Sequence, residues 1–198
     1  MQPMLAIMIK PDLLDKGYRA IATFAGTSVG TAHNAVQNLI RQRELIQRSN
    51  GSYIFTDRAR LIDQWVTLYP SVLRPSLALG RYTASERDWM PEHPTSKEIE
   101  WQFGGETAAA VMTDYLRPAT MTIYCEHGIP KGMIKAGQLR ADRAGNIEFL
   151  KAPIELQQFE DQAPNIAHPL LVYADLLAIG DARNIETARI LREKYLTL

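Results

Sequence analysis

The chain has 198 residues, 22 basic and 22 acidic side chains, and no net charge at pH 7. That length holds one large domain or two small ones, and no apolar run is long enough to span a bilayer. The single cysteine, Cys125, excludes an internal disulfide and fits a reducing cytoplasm, where the chain is expected to reside with no membrane partner.

The neutral total hides an asymmetry. Residues 1–74 carry nine Lys/Arg against five Asp/Glu, a net +4, and residues 75–198 carry thirteen against seventeen, a net −4. A basic front and an acidic rear suit a module that holds phosphates joined to one that does not. The excess is modest, so non-specific DNA affinity per chain is expected to be weak, with tight binding needing a homodimer or an extra contact. The apolar start, Met1 to Ile9, lacks a preceding basic segment and a small-residue cleavage site, and does not read as a signal peptide.

In chain order, Leu5–Lys10 and Leu13-Leu14 predict a first helix, broken or ended near Pro11. Tyr18–Ala25 is a short helix with apolar residues on one side, and Gly26 permits a tight turn after it. Thr27 and Ser28 offer hydroxyl caps to a second helix from Val29 to about Arg43. Ala32, Val36, Leu39 and Ile40 form its buried side, and Thr31, Asn34, Gln37, Asn38 and Arg41 its outer face. Gly51 and the alternating run Ser52–Phe55 suit a small hairpin wing. Asp57–Tyr69 has helical spacing, and Pro70 and Pro75 place a linker at 70–76.

Beyond the linker, strands are predicted at Leu77–Tyr82, Ile99–Phe103, Thr120–Cys125 and Asn146–Leu150, and helices at Glu106–Leu116, Lys131–Leu139, Pro169–Ile179 and Ile185–Leu196. Arg81–Lys97, with Pro91 and Pro94, reads as irregular. The expected fold is therefore α+β. A winged helix-turn-helix over residues 1–70 precedes a mixed α/β domain over 71–198 that ends in a helical hairpin and serves partner or dimer contacts.

The segment from Tyr18 to Phe55 carries the functional argument. A merely solvated helix face would hold Glu and Lys, whereas this one holds Thr, His, Asn and Gln, and no acid occurs between Asp15 and Glu44. Asn34, Gln37 and Asn38 are the candidate base contacts, because amide side chains pair with adenine. Arg19, Thr27, Ser28, Arg41 and Arg43 suit phosphates near the helix ends, and Arg48, Asn50 and Ser52 would lie on the wing. His33 either faces DNA or tucks against the wing.

Gly104-Gly105-Glu106 opening a helix is similar to the start of a nucleotidyltransferase core, where backbone donors hold a phosphate. That chemistry needs paired carboxylates on the next strand for Mg²⁺, and Thr120–Cys125 has none before Glu126. Close helix–strand packing is the favoured reading, and an enzyme is not expected. Cys125-Glu126-His127 could begin a metal site, but no recognisable spacing supplies the other ligands, so neither metal nor cofactor is expected. In the C-terminal hairpin, Leu170, Leu171, Ala174, Leu177 and Ala178 form a core face, Asp181 caps the last helix, and Glu186 and Arg189 to Arg192 face solvent. A docking surface for a partner protein is the functional alternative there.

Three runs together resemble the AbiEi-type antitoxin and transcriptional-regulator family of type IV abortive-infection toxin–antitoxin systems. They are Tyr18–Ala22 through Gly30–Asn34, Gly104–Ala109 through Tyr115–Pro118 and Thr122–Tyr124, and Leu171–Ala178 with Gly180–Asn184. The resemblance implies an N-terminal winged helix that binds double-stranded operator DNA and represses its own operon. It also implies a C-terminal domain that counters a nucleotidyltransferase-like toxin. Some relatives are longer at the N-terminus. The alternative is a catalytically degenerate nucleotidyltransferase-like domain fused to a winged helix and acting as a protein-interaction module.

Overall fold

A computed structural model of the chain describes residues 1–86, 88–91, 99–157 and 165–196. Much of the stretch expected to be irregular, including His93, Pro94 and Lys97, lies outside the described residues. The chain divides into two compact units, one of Met1–Leu73 with Pro153–Glu155, the other within Arg74–Ala152 and 156–196. Pro153–Glu155 joins the first unit by one side-chain and one backbone bond: Gln2 Nε2 donates to Pro153 O at 3.0 Å, and the Glu155 N–H donates to Phe24 O at 2.8 Å.

The first unit starts with α1 (Gln2–Ile9) and α2 (Leu13–Lys16), two helices where one interrupted helix was expected. Pro11 forces the separation by holding Lys10 out of the helical region, at φ −131° and ψ 79°. Gly26, at φ +57°, makes the turn from α3 (Tyr18–Phe24) to α4 (Val29–Arg41). Ser28 caps α4, its Oγ accepting the Thr31 N–H at 3.1 Å. The helix ends two residues earlier than the pattern suggested, and Arg43 takes φ +60° to turn the chain into β1 (Leu45–Gln47). β1 pairs antiparallel with β2 (Tyr53–Phe55), Ile46 opposite Ile54. Helix α5 (Arg58–Leu68) follows, capped by Asp57.

The core of this unit is built by Leu5, Ile7, Met8, Ile21, Leu39, Leu45, Leu61 and Trp65, all buried. Each contributes roughly 1.5–3 kcal/mol of hydrophobic stabilisation if fully removed from water. Trp65 stacks on Tyr69 with ring centroids 5.1 Å apart, and its indole N–H donates to Met1 O at 3.0 Å.

The division between the units falls at Leu73–Arg74, inside the range 70–76 expected for a linker, and the chain there is helical. Tyr69–Leu73 forms one π turn that closes the first unit, and α6 (Arg74–Leu77) opens the second. Pro70 lies in the widened turn, and Pro75 is the second residue of α6.

The second unit holds β3 (Ala78–Thr83), β4 (Trp101–Gly104), α7 (Gly105–Thr113), β5 (Met121–Cys125), α8 (Lys131–Ala136), β6 (Arg140–Ala141) and β7 (Ile147–Lys151). The sheet order is β4-β5-β7-β3-β6, with β5 and β7 parallel and the other pairs antiparallel. β5 is flanked on both edges and buried along its length, as a strand covered on both faces should be. The unit ends in α9 (Pro169–Ile179) and α10 (Ala182–Tyr195), which pack on each other and on α7.

Three helix ends differ from expectation. Asp114 turns left-handed at φ +53° and stops α7 at Thr113, and α8 ends at Ala136. Asp181, accepting the Asn184 N–H at 2.8 Å, starts α10 at Ala182 instead of Ile185. α9 also differs in kind: from Pro169 to Leu176 it is buried on every side, not along one face.

Candidate nucleic-acid interface

A helix turns by about 100° per residue, so the buried Ala32, Val36 and Leu39 fix the inward direction of α4. Asn34 and Arg41 lie opposite them, both exposed, and the half-buried Ile40 flanks the core side. Thr31 is exposed at the first turn, its hydroxyl 2.9 Å from Ser28 Oγ.

The other candidates flank this centre line. Gln37 leans toward α3, its Nε2 donating to the Tyr18 hydroxyl at 3.2 Å. His33 meets the edge of the Tyr18 ring, with centroids 4.9 Å apart, and its Nδ1 lies 3.5 Å from Asn34 Oδ1. The wing contact considered for His33 is thus replaced by one to α3. Burial and the neighbouring Tyr18 phenol raise the Tyr53 phenol above its ordinary range, so strand β2 reaches the same cluster. On the opposite flank, Asn38 accepts a hydrogen bond from Arg41 Nη2 and borders a cavity of about 710 Å³ lined also by Met4, Gln42 and Leu68.

Thr27 changes most from expectation. Its hydroxyl is buried without a hydrogen-bond partner and its N–H donates to Ala22 O at 2.9 Å, so neither group is presented to a phosphate. Arg19, Arg43 and Arg48 are exposed. Asn50 Oδ1 accepts both the Ser52 N–H at 3.1 Å and the Ser52 hydroxyl at 2.8 Å, which organises the hairpin loop. The first acid after α4, Glu44, is buried, with Oε1 3.5 Å from both Arg60 Nη2 and Gln64 Nε2. No carboxylate is therefore presented between Lys16 and Arg43.

In the second unit, two buried carboxylates explain the remaining motifs. Asp175 of α9 accepts both ways from the Tyr124 hydroxyl at 2.9 Å, from the Gly105 N–H at 3.0 Å and from Arg74 Nε at 3.3 Å. Arg74 also forks onto Glu148 of β7. Gly104 must be glycine because a Cβ would lie 2.9 Å from Asp175 Oδ2 and closer still to the Tyr124 ring. Gly105 holds φ +48° against Thr122. Glu106 accepts from the Ala119 and Thr120 N–H groups at 2.5 and 2.8 Å, from Arg183 Nη2 at 2.8 Å and from Asn184 Nδ2 at 2.7 Å.

The N–H that a nucleotide phosphate would need at the start of α7 is thus already bonded to an internal carboxylate. β5 bears no acid, and Glu126 after it accepts the Leu156 N–H at 2.8 Å. Among the described residues no three His, Cys, Asp or Glu side chains gather as metal ligands. Burial pushes the Cys125 thiol up to about 12, which keeps it protonated. Nor is any described helix long and apolar enough to cross a membrane.

Neither Tyr18 nor Tyr53 was among the residues expected to build this face. The Tyr18–Gln37 bond crosses 19 residues, beyond any local spacing rule. Asp175 did leave a signal, being the one acid in an otherwise apolar helix. Arg192 also departs from expectation, donating to the Tyr173 hydroxyl at 3.0 Å and not simply facing solvent.

In class, the chain is a transcriptional regulator. It belongs to the AbiEi antitoxin family of type IV toxin–antitoxin systems, whose family model matches residues 54–197. The match takes in α5 and the second unit with both carboxylate networks, and begins after α4. No curated protein and no solved structure matches the chain.

Proposed function

We propose that the chain is a sequence-specific repressor of its own operon and the antitoxin partner of a nucleotidyltransferase-like toxin. In this reading the first unit is a winged helix-turn-helix, with α4 as recognition helix and β1–β2 as wing. The observation that carries it is the outer face of α4. Asn34 and Arg41 project from its centre with Gln37 beside them, on a surface that presents no carboxylate to repel phosphate. Ser28, Arg19, Arg43 and Arg48 frame that face as phosphate contacts. Family membership supports the regulatory role, and in this reading the second unit makes the toxin or dimer contacts. A catalytic role is not part of this reading, because the start of α7 is bonded to Asp175.

The test is a binding titration of the chain against the DNA upstream of its own reading frame and a scrambled duplex of equal length. A salt-sensitive preference for the upstream duplex is expected. Equal, weak binding to both would remove the repressor reading and leave the partner-protein role.

A further inference from the structure

A glutamine reading a base edge has to be held still, and it is among the side chains that lose most rotamer freedom when ordered. Tyr18 already imposes that order. It stands at the first position of α3, and its hydroxyl accepts from Gln37 Nε2 at 3.2 Å. His33 meets the Tyr18 ring edge-on from α4, and the Tyr53 phenol on β2 interacts with the Tyr18 phenol. Three elements therefore converge on one phenol. The carboxamide nitrogen has two hydrogens, of which Tyr18 takes one. The second hydrogen and Oε1 remain, and these are the donor and acceptor that adenine N7 and N6–H require. Guanine offers two acceptors at the same edge and would face Oε1 with the wrong partner.

We propose that Tyr18 is a positioning residue that locks the Gln37 carboxamide to read one adenine in the major groove, an assignment that rests on α4 being the recognition helix. Tyr18 touches no base in this arrangement; it acts through Gln37 and couples the wing to the reading side chain.

The experiment uses the full chain and the duplex upstream of its reading frame, with each A·T pair replaced by G·C in turn. Wild type, Tyr18→Phe, Gln37→Ala and the double variant are titrated against every duplex. In wild type, replacement at one position should weaken binding about tenfold. Tyr18→Phe and Gln37→Ala should each lose that discrimination, and the double variant should lose no more than either. Affinity for scrambled duplex should not change, which a merely structural role for Tyr18 would not predict. If Gln37→Ala loses the discrimination while Tyr18→Phe keeps it, the positioning role is overturned, as it is if Gln37→Ala keeps it. Both results leave the recognition helix standing, provided wild type prefers upstream DNA. A wild type with no such preference removes the recognition helix and the positioning role together. Tyr18→Phe keeps the ring against His33 and should melt with wild type. If it unfolds, Tyr53→Phe probes the same cluster from the wing, and unchanged discrimination in that variant overturns the proposal.

Discussion

Gly30 lies in the first turn of α4, where the fold asks for no glycine. Its backbone is helical, it is exposed, and an added Cβ would meet only Ser28 Oγ at 3.8 Å, an ordinary contact. Alanine there should raise helix stability by up to about 1 kcal/mol. A residue that costs stability without an internal reason points to an external one, and Gly30 is on the outer side of α4 beside Asn34. Close passage of a DNA backbone over the bare turn would supply that reason. Gly30→Ala should therefore melt higher than wild type while binding the upstream duplex more weakly. Higher melting with undiminished affinity would place Gly30 outside the interface. Gly104 is the contrasting case, since Tyr124 and Asp175 leave no room for a Cβ there and its cause is wholly internal.

At the scale of elements, α9 shows how a single acid can tie a unit together. Asp175 is fully buried and binds the start of α7, the hydroxyl of β5's Tyr124 and the guanidinium of α6's Arg74. Truncation would strand the Gly105 N–H and the Tyr124 hydroxyl in the interior and leave the Arg74 guanidinium with Glu148. Breaking a buried charge network in this way costs about 3–5 kcal/mol. Asp175→Ala should lower the denaturation midpoint by a corresponding amount, and Asp175→Asn, which keeps the acceptor oxygen, by less. An Asp175→Ala protein as stable as wild type would show that the network contributes little. The same helix marks what could be read in advance. Its apolar length and the capping Asp181 were legible because those signals are local, as were Gly26 and Ser28 around α4. The partners of Asp175 were not, because they lie 51, 70 and 101 residues away. β1 and β6, three and two residues long, are too short for any alternation to show. Pro70 and Pro75 pointed to the region where the units divide, at Leu73–Arg74, but not to the helical backbone that runs through it.

For the whole molecule, a net charge of zero bears on DNA binding only through where the charges are and which of them are free. In the first unit, Lys16 pairs with Asp12 at 2.6 Å, Lys10 lies over the Phe24 ring, Arg58 binds Met8 O and Arg60 faces Glu44. Arg19, Arg41, Arg43 and Arg48 are exposed, and among the described residues none of the four is in an ion pair. If these four neutralise phosphates, a single bound chain releases about four counterions. The slope of log affinity against log salt is then about −3 to −4, and about −7 for two chains on a paired site. So modest a charge excess makes the paired arrangement the expected one, because four contacts alone leave affinity weak at physiological salt. Titrations of the upstream duplex at several salt concentrations, with stoichiometry measured alongside, should therefore give the steeper slope at two chains per duplex. A slope near −3.5 at one chain would mean that a monomer binds unaided, and a slope near zero would mean that these arginines do not meet phosphate, which α4 could not survive as a recognition helix.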